Sequence, residues 1–292
     1  WGGDRSPLAM PGVQVEEGDF LLAVDGQDLE TATNPWSLLV NKAGKKVVLK
    51  VNGGPFMDGA REVVIETLRS ELALRYIDWV EGNRRKVAEA TGGRVGYIHV
   101  PDTSIGGLNA FSRGFFPQID KQGLIIDVRY NSGGMIPDQM MEHLRRKVVS
   151  LWATRDGKDF KTPEVALHGH TACIINEYAG SGGDAFPHFF QRYELGPLVG
   201  NRTWGGLVGI TGRVRLIDGG RVSAPEFAVL SPEGEWIIEN RGVDPDFPVD
   251  DRPDLVIRGF DPQLEKAISL VMEKIVNEPK TLPERPPFPK RN

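Results

Sequence analysis

At 292 residues the chain is long enough for two domains of about 100 to 200 residues each, which excludes a bare peptide, a lone zinc finger or a disulfide mini-protein. Hydrophobic residues make up 40% and charged residues 26%, a globular composition that excludes global disorder. Thirty-five Lys plus Arg against 40 Asp plus Glu give a net charge of −5 with both signs scattered, so neither nucleic acid nor an anionic membrane is the expected partner. The single Cys173 lies in the apolar run TACII and cannot form an internal disulfide, so a reducing, cytoplasmic compartment is expected. The opening WGGDRSPLAMPG lacks the basic-then-apolar order of a signal peptide, and no window approaches the roughly 20 apolar residues of a membrane-spanning helix. A chain that starts at Trp1 without an initiator Met reads as a fragment.

Residues 12–53 read as a small β-rich module, with short strands in GVQV, DFLLAVDG and KKVVLKVNG bounded by Gly, Asp and Asn turn signals. A helical insertion is expected in NPWSLLVNKAG, where Trp36, Leu39 and Val40 follow i, i+3, i+4, Asn34 can cap and Gly44 ends it. REVVIETL supplies a further strand and closes the module near Leu68. Residues 70–91 carry Leu72, Tyr76, Trp79, Val80 and Val87 on one helical face, with Ser70 as cap, Gly82 as a kink candidate and Gly92 with Gly93 as the stop. The predicted division is a β-rich domain over 1–69, a linker helix over 70–93, an α/β domain over 94–278 and a Pro-rich tail over 279–292.

From residue 94 onward, strands rich in Ile and Val (RVGYIHV, LIIDVRY, TACII, PLVG) alternate with helical segments. That alternation predicts a largely parallel sheet covered on both faces, with the ligand site at the strand ends. Shorter strands around RVRLI, EFAVL and WIIEN follow, then a helix over DPQLEKAISLVMEKIV and a tail, PKTLPERPPFPKR, too Pro-rich to be helical.

Two phrases can carry chemistry. In CIINEYAGSGGDAF a strand runs through Ala-Gly-Ser-Gly-Gly into a helix, with Ser181 at the bend. Small neighbours let a substrate approach the hydroxyl, and the helix N-terminus offers N–H groups and a positive dipole end to a developing oxyanion. The same phrase is also what a tight connection with Ser181 as N-cap would look like. RYNSGGMIPD likewise leaves a strand and opens a helix, and in a parallel sheet it can lie beside the Ser181 turn. The N–H groups of Gly134 and Gly182 would then form a two-donor oxyanion hole, although NSGG alone equally fits a helix-capping turn.

GYIHVPD, LIIDVRYNSGG, INEYAGSGGDAF and GNRTWGGLVGI, in this order, resemble the tail-specific protease superfamily of serine peptidases, and within it the C-terminal half of tricorn proteases. The module from VEEGDFLLAVDGQDL through GKKVVLKV resembles the PDZ domain of the same proteins. The resemblance implies an α/β chain: a PDZ-like domain followed by a crotonase-like α/β sandwich catalytic domain. It implies peptidase action on short peptides within a cytoplasmic homohexamer, leaves open whether propeller domains lie upstream, and calls for no cofactor. Residue by residue, it implies Ser181 as nucleophile, Gly182 and Gly134 as oxyanion donors, and Glu239 in IIENRGVDPD as the carboxylate that positions the catalytic base.

Two departures accompany the match. Where the bacterial C-terminal processing branch has a Lys as base in a phrase like TFGKG, this chain has Thr203-Trp204-Gly205-Gly206, so a Ser–Lys dyad is excluded on this reading and a His is needed. In the resembled enzymes that His precedes the PDZ domain, so the base is expected outside this chain. Of the five histidines, His99 falls in a strand phrase and His143 and His188 on helices, all read as structural. His168 and His170 stand i, i+2, too few ligands to predict a metal. The position that gives the resembled enzymes an acidic group for basic P1 side chains falls near Trp152, with Asp156 four residues on, which implies weak or absent selectivity for basic P1. A second reading is a catalytically silent PDZ-type peptide-binding or scaffold fragment acting by β-augmentation. A third, ranked last, is an acyl-CoA enzyme of the same fold.

Overall fold

The computed structural model describes residues 5–31, 34–210 and 213–290; the ends of the opening phrase and of the tail lie outside them. The chain divides into two compact units, Trp1–Glu81 and Gly82–Asn292.

The first unit is built on an antiparallel sheet of four strands, β1 (Phe20–Val24), β2 (Gln27–Asp28), β3 (Lys46–Asn52) and β4 (Arg61–Glu66), in the order β2-β1-β3-β4. Asp25 and Gly26, both at positive φ, make the two-residue turn between β1 and β2, the Asp-Gly preference of a type I′ hairpin. Asp25 also accepts the Val48 N–H and pairs with Lys42. Alternation along β3 sends Val47, Leu49 and Val51 inward to meet Val24 and Val63. Two expectations need correction. GVQV forms no strand; Val13 and Val15 instead pack on this core from irregular backbone. The helical insertion is a short 3-10 turn, Pro35–Leu39, capped by Asn34 as expected but leaving Trp36 exposed.

The helix α1 (Leu72–Thr91) runs uninterrupted through Gly82. It ends where Gly92 and Gly93 turn left-handed and the Gly93 N–H closes on the Ala88 carbonyl. In the second unit follow β5 (Val95–His99), α2 (Ile105–Phe115), β6 (Gly123–Asp127), α3 (Pro137–Leu144), the hairpin β7 (Ser150–Trp152) with β8 (Phe160–Thr162), and then β9 (His170–Ile175). After these come α4 (Gly182–Arg192), β10 (Leu198–Gly200), the short strands β11 (Val208–Gly209), β12 (Arg213–Arg215), β13 (Arg221–Ser223) and β14 (Phe227–Ala228), then β15 (Phe247–Pro248), α5 (Pro253–Val256) and α6 (Pro262–Asn277).

Five strands form one parallel sheet in the order β15-β10-β9-β6-β5. All residues of β5 and β6 are buried, which is why these strands read as continuous apolar runs rather than alternating ones. Leu124, Ile126, Cys173 and Ile175 pack against Phe111 and Phe115 of α2, Met140 and Met141 of α3 and Phe186 and Phe190 of α4. The opposite face is covered by α6, whose Val271 lies so close that a Cβ on Gly123 would sit 2.4 Å from it. Each fully buried Phe or Leu here contributes about 1.5 to 3 kcal/mol. WIIEN is not a strand: only the bridge Leu230 to Trp236 forms, and the chain then enters a tight turn at Ile237.

Candidate active site

Parallel strands deliver their C-terminal ends to one edge of a sheet, and both glycine-rich phrases leave the sheet there, one after β6 and the other after β9. Ser181 sits between β9 and α4 at φ 57, ψ −116, a conformation that costs a non-glycine residue about 1 to 3 kcal/mol. Ser181 stands at the N-cap position of α4, but its side chain makes no capping bond to the helix. The Ser181 carbonyl accepts the N–H groups of Asp184 and Ala185. Because a trans peptide sets C=O and N–H on opposite sides, the Gly182 N–H points out of the helix end.

The NSGG turn is fixed by the same logic. The Thr103 N–H donates to the Gly133 carbonyl at 2.9 Å and the Thr103 carbonyl accepts from Ile136 at 2.9 Å. With its peptide so held, the Gly134 N–H is directed away from Thr103. Asn131 braces the turn from inside, its side-chain amide bonded to the Val100 carbonyl and the Gly133 N–H, and its own carbonyl accepting from Gly180. A Cβ on Gly182 would lie 2.8 Å from the Gly134 nitrogen and 1.9 Å from Thr103 Oγ; only glycine fits. Thus the structure brings Gly134, Ser181 and Gly182 together, and among the described residues neither the Gly134 nor the Gly182 N–H has a hydrogen-bond partner.

The loop that carries Gly206 in place of a Lys lies against this turn. The Trp204 N–H donates to Ala179, and its ring covers Gly180. Gly205 donates to Asp184 Oδ1 (2.8 Å) and accepts from Asn240 (2.8 Å). Leu207 donates to Glu239 Oε2 (2.7 Å). Glu239 is therefore tied to the loop that packs on the Ser181 turn, in a turn where both Ile238 and Asn240 have positive φ. A β-branched residue in that region is a true outlier, held here by the Arg241 and Gly242 N–H groups on the Ile238 carbonyl.

Three groups that sequence reasoning missed support the site. Thr103 is buried with its hydroxyl unpartnered. Asp184, in the first turn of α4, is wholly buried; one oxygen bonds Gly205, the other makes no hydrogen bond. Burial pushes its carboxyl above the ordinary value, against the lowering influence of the Thr203 hydroxyl and nearby backbone N–H groups. Below the NSGG turn, buried Arg129 bridges Asp127 and Asp261 (2.7 and 2.9 Å), and the Tyr97 hydroxyl donates to Asp127. No periodicity marks such residues; their partners lie up to 134 positions away, as Gln263 does from Arg129.

Four of the five histidines make contacts away from the Ser181 turn. His99 Nε2 pairs with the Arg129 carbonyl and His170 Nε2 with the Glu278 carbonyl, and burial lowers the pKa of both. His143 packs against Phe111, Phe115 and Phe116, and the half-buried His188 lies beside Phe189. Neither His168 nor His170 joins a group of three or more potential metal ligands among the described residues. Trp152 stands on the β7–β8 hairpin, stacked on Phe160 and donating to Thr162 Oγ, and Asp156 lies in the connecting loop. Among the described residues no helix is long and apolar enough to cross a membrane.

A half-buried nucleophile candidate at the end of a parallel sheet, beside two free backbone donors, defines a hydrolase-type site, and comparison with known proteins specifies its class. Residues 94–249 match peptidase family S41 and residues 2–70 match the Tricorn protease PDZ domain. The chain belongs to peptidase family S41. Tricorn protease homolog 1 of Streptomyces coelicolor is 40% identical over 286 residues, 97% of this chain and 26% of that protein. The Tricorn protease of Thermoplasma acidophilum is 38% identical over 284 residues, again 97% of this chain and 26% of that protein. The crystal structure of the tricorn protease matches with a TM-score of 0.82 at 39% identity, covering 89% of this chain and 25% of that one. The chain thus spans about a quarter of the length of these relatives.

Proposed function

We propose that the chain is the PDZ and catalytic portion of a tricorn-type serine peptidase that cleaves short peptides through an acyl-enzyme. Ser181 Oγ attacks the scissile carbonyl carbon as its proton passes to a His. The Gly134 and Gly182 N–H groups hold the resulting oxyanion. Collapse breaks the C–N bond as the His returns the proton to the leaving amine, and water then releases the acyl group by the same steps. Glu239 positions the His. The observation that carries this reading is the pair of free backbone donors beside a strained, uncapped serine, since an oxyanion hole is the strongest single aid to acyl transfer.

The base comes from polypeptide outside these 292 residues, a reading supported by the hydrogen bonds that already hold His99 and His170. The domain organisation is a PDZ-like domain over 1–69, a linker helix over 70–93, the peptidase domain over 94–278 and a tail. The working protein is a cytoplasmic homohexamer with propeller domains upstream, by analogy with the tricorn relatives. Selectivity for basic P1 is weak, in keeping with Trp152 where an acid would serve; a 100-fold preference for Arg over Leu at P1 would contradict it. Turnover of short peptides by the longer polypeptide, lost in Ser181→Ala with folding retained, tests the central reading. Unchanged turnover in that variant would refute it, and reversible peptide capture without turnover would favour the silent binding module.

A further inference from the structure

Asp184 has no place in the reaction just described, yet it occupies a costly position. A wholly buried carboxylate with one oxygen unpartnered is a feature that packing alone would discard, since an unsatisfied buried acceptor destabilises the fold. The oxygen that is bonded accepts the Gly205 N–H at 2.8 Å. Gly205 in turn accepts the Asn240 N–H at 2.8 Å, and two residues on, Leu207 holds Glu239 Oε2 at 2.7 Å. Asp184 belongs to the same helical turn as the proposed nucleophile, because its own N–H closes on the Ser181 carbonyl at 2.9 Å. A continuous chain of three hydrogen bonds therefore runs from the Ser181 peptide through Asp184 and Gly205 to Asn240 in the turn that presents Glu239, and the Leu207 bond ties Glu239 itself to the same loop.

We propose that Asp184 is a positioning residue that fixes Glu239 relative to Ser181 through Gly205, an assignment that rests on the serine peptidase reading. The Glu239 turn needs such an anchor: Ile238 and Asn240 are both held at positive φ, and strain of that kind persists only where surrounding bonds over-determine it. The loop that links Asp184 to this turn contains Gly205 at φ 80 and Gly206, so its own backbone offers little stiffness. The carboxylate supplies the stiffness from the rigid end of α4.

The test is a double-mutant cycle on peptide turnover in the full polypeptide, with Asp184→Ala, Glu239→Gln and the two combined, alongside amide hydrogen exchange over residues 203–209 and 237–242. If Asp184 acts through Glu239, each single change lowers kcat by about 10²-fold, as loss of a well-oriented base does, and the double variant is little slower than either, since coupled sites are not additive. KM changes little, Asp184→Ala speeds exchange in both segments, and Asp184→Asn, which keeps an oxygen for Gly205, restores both turnover and protection. Should Asp184→Ala fail to fold, Asp184→Ser takes its place in the cycle. Multiplicative effects, or exchange at 237–242 unchanged in Asp184→Ala, overturn the assignment while leaving the peptidase reading intact. A wild-type polypeptide that neither turns over peptide nor acylates at Ser181 overturns both.

Discussion

The backbone N–H of Thr103 donates to the carbonyl of Gly133 at 2.9 Å, and this bond orients the donor of the residue that follows. With the carbonyl pinned on one side of a planar peptide, the Gly134 N–H faces the other. The proposed oxyanion turn is thus aimed by a residue on the loop after β5, and Thr103 does so through its main-chain atoms. Thr103 is buried with its hydroxyl idle, so Thr103→Val, nearly the same shape, is expected to keep turnover within about threefold, or under 1 kcal/mol of barrier. Its thermal midpoint should hold or rise, because an unpaired buried hydroxyl costs about 1 to 3 kcal/mol. A tenfold loss of kcat with unchanged KM would instead mean that the hydroxyl donates in the transition state.

Backbone strain at Ser181 predicts opposite changes in stability and activity. Ser181→Gly relieves the φ 57 conformation and is expected to abolish turnover while stabilising the fold by about 1 kcal/mol, read by chemical denaturation. A less stable glycine variant would show that the serine side chain is bonded rather than strained.

Glu239→Gln keeps an oxygen for the Leu207 N–H but removes the charge that would favour a protonated His. The expected result is a fall in kcat of about 10²-fold or more with little change in KM or thermal midpoint. Turnover at the wild-type rate would return Glu239 to the status of a loop anchor.

The Arg129 cluster makes a pH-dependent prediction. Burial by itself would raise the Asp127 carboxyl, but the Arg129 charge and hydrogen bonds outweigh it and leave the group below its ordinary value. Such a group adds stability above its unfolded pKa of about 3.9 and loses it as pH falls through the lower folded value. Arg129→Met strands two carboxylates and is expected to cost about 3 to 5 kcal/mol at neutral pH. The deficit should shrink as pH falls, because without Arg129 burial alone acts on the Asp127 carboxyl and raises it, so that the variant takes up the proton before the wild-type protein does. Urea denaturation at pH 7 and pH 3.5 reads both, and a deficit that does not vary with pH would remove Asp127 from the account.

The sheet, its helices and the placement of Ser181 beside NSGG were legible because they rest on local pattern: buried parallel strands are unbroken apolar runs, and glycine marks sharp turns and close approaches. WIIEN misled, since its apolar run suggested a strand where Ile238 enters a left-handed turn. GVQV misled in the same way, packing without pairing. Thr103, Asp184 and Arg129 carried no readable signal. Their roles come from partners remote in sequence, and an acidic residue in a first helical turn reads simply as a favourable dipole contact.

The central claim, a serine poised beside an assembled oxyanion hole, is tested most directly by fluorophosphonate labelling of the chain, located by intact mass and peptide mapping with Ser181→Ala as control. The account predicts stoichiometric labelling at Ser181 once the polypeptide that brings the His is present, little without it, and none in the control. Absence of labelling at Ser181 even in the longer polypeptide would contradict it.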